Sequence, residues 1–408
     1  MNSLLDSGLI PGCVTFLIAA LVIDRWVRSM IRQNLDLKRV VPYLVLSGVI
    51  FSVMALSRIV QVDATQSWSD GGTHHIAAVQ KMYQIQHHGI FDAIKEIRPG
   101  NPFFQLLTGL LYLIIGPFPE VLYVVFGGLG FMAMAYILDV LIRSFPRAPA
   151  YLAATVVLLP SAWFWTPINL KEGPMLWCIA VLLRSASFTK GSKRPLFEMA
   201  VAAFMGVLLR PHIFLGWIAG VGFTTLFRRF NLGAALVSVS ACFLGLNLMA
   251  VLLPNLVGDW QGSLNDIGET SVRNAVSHGG SAISGAPIPF LTGALLILLR
   301  PYPWEVFDLR SLASGLEIWG LTGLGVFGWV RCRERRKLLV HPVVMTCLVA
   351  LICLCLPFSY FYNMGLLVRQ RLQVYPSILV LCIFPNAVNA LRFARSTAVR
   401  NVLAPRKL

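Results

Sequence analysis

The chain has 408 residues, 57% of them hydrophobic and only 13% charged, with a mean hydropathy of +0.72. That composition excludes a soluble globular fold and reads as an all-α polytopic membrane protein. The net charge of +16 does not point to nucleic acid, because Lys and Arg stand in short clusters between apolar runs, as they do in cytoplasmic loops.

A helix crossing the hydrocarbon core needs roughly 20 apolar residues, fewer where flanking side chains snorkel. The first such run, about 8 to 24, has Asp6 ahead of it and no basic lead, so it reads as a retained span rather than a cleaved signal. Further spans are expected at about 41 to 60, 121 to 142, 150 to 168, 173 to 187, 196 to 209, 213 to 227, 232 to 254, 311 to 330, 341 to 358 and 372 to 391. Two shorter apolar runs, about 102 to 116 and 288 to 300, remain.

Between the second and third spans lies the first long polar stretch, an outer loop over about 61 to 101. It reads Trp68-Ser69-Asp70-Gly71-Gly72-Thr73-His74-His75 and continues as an amphipathic run through Lys81, Tyr83, His87, His88, Asp92, Lys95, Glu96 and Arg98. Four of the seven histidines are here, with Asp63 close by, so the polar chemistry of the chain is concentrated in one loop beside the bilayer.

Basic clusters follow the spans at Arg25 to Arg39, at Arg143 and Arg147, at Arg184 to Arg194, at Arg228 and Arg229, at Arg331 to Lys337 and in a tail over about 392 to 408. All of them face the cytoplasm only if the two short runs do not cross. At about 1.5 Å per residue the run from Asn101 to Gly116 is roughly 24 Å long, short for the hydrocarbon core, and prolines bracket it. Both short runs are therefore expected to be re-entrant or interfacial. This leaves a single transmembrane domain over 1 to 408 of about eleven spans, with the N-terminus outside and the C-terminus inside. An outer loop over about 255 to 310, Gly- and Ser-rich to residue 289, contains the second short run. The eight cysteines fall in spans or in the Arg331 to Lys337 loop, which implies no disulfide framework.

The charges left on the outer side are not needed by the positive-inside rule. They sit in the turn Asn169-Leu170-Lys171-Glu172-Gly173-Pro174, in Arg210-Pro211-His212, in Arg300-Pro301-Tyr302-Pro303-Trp304-Glu305, and in a last turn with Tyr360, Tyr362, Asn363, Arg369 and Arg371. Ionised groups beside hydrocarbon need partners or a wet surface, and arginines in such a place suit a phosphate or pyrophosphate. The candidate substrate-binding residues are His74, His75, Lys171, Arg210, His212, Arg300, Trp304, Glu305, Arg369 and Arg371. Each group also has a plainer reading: Lys171-Glu172 as a solvated turn, Arg210-Pro211-His212 as a helix end, Tyr302 and Trp304 as an aromatic belt, Arg369 and Arg371 as headgroup anchors. Glu317 lies two turns into a span and needs a partner. The paired histidines lack the spacing of a metal site, so no histidine-bound metal is expected. A divalent cation, Mg or Mn, held by Asp70 and a substrate phosphate stays open.

A carboxylate just after an early outward span, a short Asn-Pro-led apolar run, and later spans returning polar turns to the same face resemble membrane glycosyltransferases of the GT-C superfamily, which includes protein O-mannosyltransferases and lipid A aminoarabinose transferases. The resemblance implies a GT-C-like fold in the cell membrane with its active site on the outer face. It implies a polyprenyl-phosphate sugar donor, a glycan, lipid or protein acceptor from the cell envelope, and Asp70 and Glu172 as catalytic carboxylates. Arg210, His212, Arg369 and Arg371 would line the phosphate end. The chain departs from the superfamily pattern in an extra span before the first outer loop and in the lack of Asp-x-Asp. The alternatives are a polysaccharide polymerase or ligase using lipid-pyrophosphate glycans, a transporter or flippase of lipid-linked sugars, and an assembly subunit without catalysis.

Overall fold

A computed structural model describes residues 8–61, 70–95, 97–188, 195–229, 298–306, 309–358 and 364–403. All regular structure among them is helical. In chain order the α-helices are α1 (Leu9–Gln33), α2 (Val41–Val60), α3 (Gly71–His88), α4 (Ile90–Lys95), α5 (Asn101–Ile115), α6 (Pro119–Ser144), α7 (Ala150–Val157) and α8 (Pro160–Trp165). They continue as α9 (Glu172–Ala186), α10 (Leu196–Leu209), α11 (Pro211–Arg229), α12 (Leu309–Arg331), α13 (Arg335–Leu339), α14 (Pro342–Phe358), α15 (Met364–Arg371) and α16 (Tyr375–Leu403). Four segments, Leu9–Gln33, Leu35–Val60, Pro119–Ser144 and Tyr375–Phe393, are long and apolar enough to cross a membrane. The expected span 232 to 254 and the loop from 255 to 297 lie outside the described residues. So do Asp63, Trp68, Glu96, Lys190, Lys193, Arg194, Tyr360, Tyr362 and Asn363.

Prolines and glycines set several boundaries. Prolines occupy the first turn of α2, α5, α6 and α8, where a missing N–H costs nothing. Gly89 and Gly116 follow the ends of α3 and α5 with φ of 82° and 95°, conformations that favour glycine. The run 150 to 168, expected as one span, is divided. Pro160 has no N–H to give Val156 and its ring clashes with that turn, so α7 stops and α8 starts afresh. Inside α16, Pro385 likewise leaves the Leu381 carbonyl free, and Trp329 Nε1 donates to it at 2.8 Å. The segment expected as a basic tail from residue 392 continues α16 as far as Leu403.

The axis of the bundle is α6, buried along nearly its whole length. α1 runs beside it in the same direction, with Gly12 against Glu120 and Ile23 against Gly128. α2 runs the other way, pairing Gly48 with Phe131 and Ile59 with Tyr123. The chain therefore leaves α2 and enters α6 at the same end, and α3, α4 and α5 make no net passage between the ends. α9 follows the direction of α6, with Gly173 against Phe126 and Arg184 against Asp139. α10 returns, and its Leu208 carbonyl accepts the Gly100 N–H at 2.8 Å, so the start of α5 sits at the end where α9 begins.

At the opposite end a buried ion network ties the helices together. Asp139 is fully buried, and its Oδ2 accepts Arg143 Nε at 2.7 Å and Arg184 Nε at 2.8 Å while its Oδ1 accepts Asn34 Nδ2 at 2.8 Å. Arg184 also donates to Gln33 at 3.0 Å, lies 3.8 Å from Glu198, and stacks over the Tyr136 ring. Arg143 and Arg184, expected among loop cations, are thus largely removed from solvent, because a carboxylate inside α6 requires them.

Candidate functional site

The end where α3 and α9 begin gathers charge from four pieces of chain. Asp70 caps α3, but its side chain makes no capping bond and instead accepts Arg369 Nη1 at 2.8 Å. Arg369 comes from α15 and reaches further in, placing Nε 3.3 Å from Glu172 Oε1. Glu172 opens α9, where the helix dipole favours a carboxylate, and it is fully buried. The same oxygen accepts Arg210 Nη2 at 2.8 Å. Arg210 stands between α10 and α11 immediately before Pro211, which steers it to an extended backbone (φ −152°) and turns its side chain out of helical register. Asn169, in the turn before α9, donates to the Gly71 carbonyl at 3.1 Å and so holds the start of α3 against the start of α9.

The result is a chain Asp70, Arg369, Glu172, Arg210, with Lys171 half-buried beside it. With Lys171 protonated, three cations, Lys171, Arg210 and Arg369, face two carboxylates, and the cluster carries a positive surplus. The gradient of exposure is steep: the Asp70 side chain is 62% exposed, that of Arg369 15%, and Glu172 is sealed. Desolvation opposes ionisation of Asp70, yet the Arg369 guanidinium outweighs it and holds the carboxyl below its usual range. Burial, with Lys171 nearby, pushes His74 down to about 4, leaving it neutral at physiological pH. Burial and the neighbouring Arg210 bring Lys171 down to about 7, although Glu172 pulls the other way.

Several buried polar atoms here have no hydrogen-bond partner among the described residues: Glu172 Oε2, Arg210 Nη1, Asn169 Oδ1 and His74 Nδ1. An unmet buried group costs about 1–3 kcal/mol, so a site that keeps both unmet donors and unmet acceptors suits a ligand carrying both anionic oxygens and hydroxyls.

Asp70, His74, Lys171, Glu172, Arg210 and Arg369 are thus brought together, with His212 exposed at the edge within reach of the Arg210 and Lys171 charges. The other candidates are engaged elsewhere. His75 Nδ1 is 2.8 Å from the Tyr112 hydroxyl on α5. Arg300 lies 3.4 Å from Glu305, whose other oxygen accepts the Tyr302 N–H, and Trp304 stacks on Tyr302 while remaining 79% exposed. Arg371 is fully buried and donates to the Leu298 and Arg300 carbonyls and to Ser314 Oγ, so it anchors α15 to its surroundings. Sequence reasoning did not single out Asn169, although it shares a turn with Lys171 and Glu172. The partner that Glu317 needed is Ser161, whose Oγ donates to it at 2.5 Å.

Asp70 shares an oxygen with one guanidinium and Glu172 with two, and among the described residues no three His, Cys, Asp or Glu side chains converge. Compared with protein-family models, curated proteins and solved structures, the chain matches none of them.

Proposed function

We propose that this chain is a multi-pass membrane glycosyltransferase of about eleven spans, moving a sugar from a polyprenyl-phosphate carrier to a glycan, lipid or protein acceptor at the outer face of the membrane. The observation that carries the reading is the cationic surplus of Lys171, Arg210 and Arg369 set beside an accessible carboxylate, Asp70, at the end of the bundle where α9 begins. The distribution of basic clusters along the sequence supports placing that end outside. The unmet donors and acceptors around Glu172 and Asn169 support a ligand that is both anionic and hydroxylated.

In this reaction the acceptor oxygen attacks the anomeric carbon while the bond from that carbon to the phosphate oxygen breaks. The electron pair of the broken bond leaves on the phosphate, and the acceptor proton passes to the Asp70 carboxylate. Base assistance of this type contributes about 10² to 10⁴ in rate. The transition state resembles an oxocarbenium ion, with negative charge growing on the leaving phosphate. Arg369 and Lys171 stabilise that charge, and each preorganised donor contributes about 3 to 4 kcal/mol. Glu172 acts through the guanidinia it orients, as a positioning residue.

The test is transfer of labelled sugar from a panel of polyprenyl-phosphate donors to envelope acceptors, comparing wild type with Asp70→Asn at matched expression. Loss of transfer with donor binding retained supports the assignment. Full activity in Asp70→Asn removes Asp70 as base, and no transfer by the wild type across the panel overturns the enzyme reading in favour of transport.

A further inference from the structure

Among the described residues Arg369 alone touches both carboxylates of the cluster, and it holds them differently. Its contact with Glu172 is internal and sealed, whereas its 2.8 Å bond to Asp70 is at the solvent edge. An ion pair half open to water is worth little, so an incoming anion can displace it. The sealed bond from Arg210 to Glu172 is not exchangeable in the same way, because breaking it would strand a buried charge. Around the exchangeable bond stand Lys171, with no described hydrogen-bond or ion-pair partner of its own, and the unmet Nη1 of Arg210. These are two further donors for anionic oxygens. The Asp70 side chain makes no capping bond to α3, so no hydrogen bond from its own helix holds it once Arg369 is lost.

We infer that Arg369 is an exchangeable clamp: a phosphate entering the site takes its guanidinium from Asp70, and Asp70 is released as a free carboxylate only when that phosphate is bound. This rests on the proposed function and deepens it, since it makes the donor phosphate the trigger that unmasks the base. The resting enzyme then holds Asp70 as a weak base, paired to Arg369. Arg369 has two roles in sequence, first masking the base and then neutralising the leaving group.

The experiment measures binding of farnesyl phosphate to the detergent-purified full chain by calorimetry, for wild type, Asp70→Asn, Arg369→Gln and the double variant. Because Asp70 competes for Arg369, Asp70→Asn should bind roughly two- to five-fold more tightly than wild type, the range set by a half-exposed ion pair. Arg369→Gln should bind about ten-fold more weakly or worse. In the Arg369→Gln background the gain from Asp70→Asn should vanish, which separates competition for one guanidinium from simple charge repulsion. If wild type binds and Asp70→Asn gains nothing, or gains equally with Arg369 absent, the clamp is overturned while the anion site stands. If no form binds, the proposed function falls and the clamp with it. A parallel titration with phosphatidylglycerol nanodiscs separates the sources of phosphate: the gain confined to farnesyl phosphate supports a donor, and an equal gain with phosphatidylglycerol overturns the donor as trigger.

Discussion

Glu172→Gln gives the most discriminating test of how the cluster is built. The carboxylate is fully buried and one oxygen meets two guanidinia, Arg210 Nη2 at 2.8 Å and Arg369 Nε at 3.3 Å. An amide keeps the volume and one acceptor but removes the charge, so Arg210, itself 6% exposed, is left as an uncompensated buried cation. Removing one partner of a buried pair costs about 3 to 5 kcal/mol, whereas loss of the half-exposed Asp70 pair by Asp70→Asn should cost under about 1 kcal/mol. Reversible unfolding in mixed micelles, followed by tryptophan fluorescence, measures both. Adding Arg210→Met to Glu172→Gln should recover most of the loss, since an apolar side chain of similar length needs no counter-charge. A cost for Glu172→Gln below about 1 kcal/mol, or a double variant weaker than the sum of the singles, would refute the view that Glu172 is the fixed centre of the cluster.

Other outcomes follow from the same geometry. Burial holds Lys171 down at about 7 in the folded chain, against an ordinary lysine value of about 10.5. Between those values the unfolded chain holds more protons, so stability should rise with pH from about 7 upward, and Lys171→Met should flatten that rise in pH-dependent unfolding. Arg210, Glu172, Arg369, Asp70, His74 and His212 all act on this lysine, and farnesyl phosphate affinity should fall as pH passes upward through about 7 in wild type and not in Lys171→Met. Gly173→Ala puts a Cβ 2.7 Å from the Phe126 carbonyl oxygen, a backbone atom that cannot swing away, and should cost about 1–3 kcal/mol in unfolding while shifting Glu172 and lowering transfer. Asp139→Asn strips the charge that Arg143 and Arg184 share and should cost about 3–5 kcal/mol, with farnesyl phosphate affinity unchanged because the network lies at the other end.

Helix positions were legible in the sequence wherever apolar length decided them. The run 41 to 60 coincides with Val41–Val60, and 121 to 142 lies within Pro119–Ser144. Where a single residue overrides length, the sequence was harder to read: Pro160 splits 150 to 168, and the basic residues from Arg392 onward extend α16 instead of trailing from it. The carboxylates and cations of Asp70, Lys171, Glu172, Arg210 and Arg369 were visible as outward charges without a topological reason. Which of them touch was not visible, because Asp70 and Arg369 lie 299 residues apart and the pairing is made by packing. Arg369 and Arg371 look equivalent in the string, yet a helix turns residues two apart to different faces. One arginine therefore meets carboxylates and the other backbone carbonyls. Asp139 inside the run 121 to 142 and Arg143 just past its end stand at i, i+4, a pairing signal that the sequence does carry.

The Asp139 network also dictates an order of manufacture. When α6 emerges from the ribosome and partitions into lipid, its carboxylate has Arg143 four residues on for company, and Asn34, which follows the end of α1. Arg184 is synthesised 45 residues after Asp139, so the young hairpin of α1, α2 and α6 must carry a partly neutralised acid until α9 arrives to close the circuit. Nascent chains stalled before residue 184 should therefore stay with the insertion machinery, and those stalled after it should be free to leave.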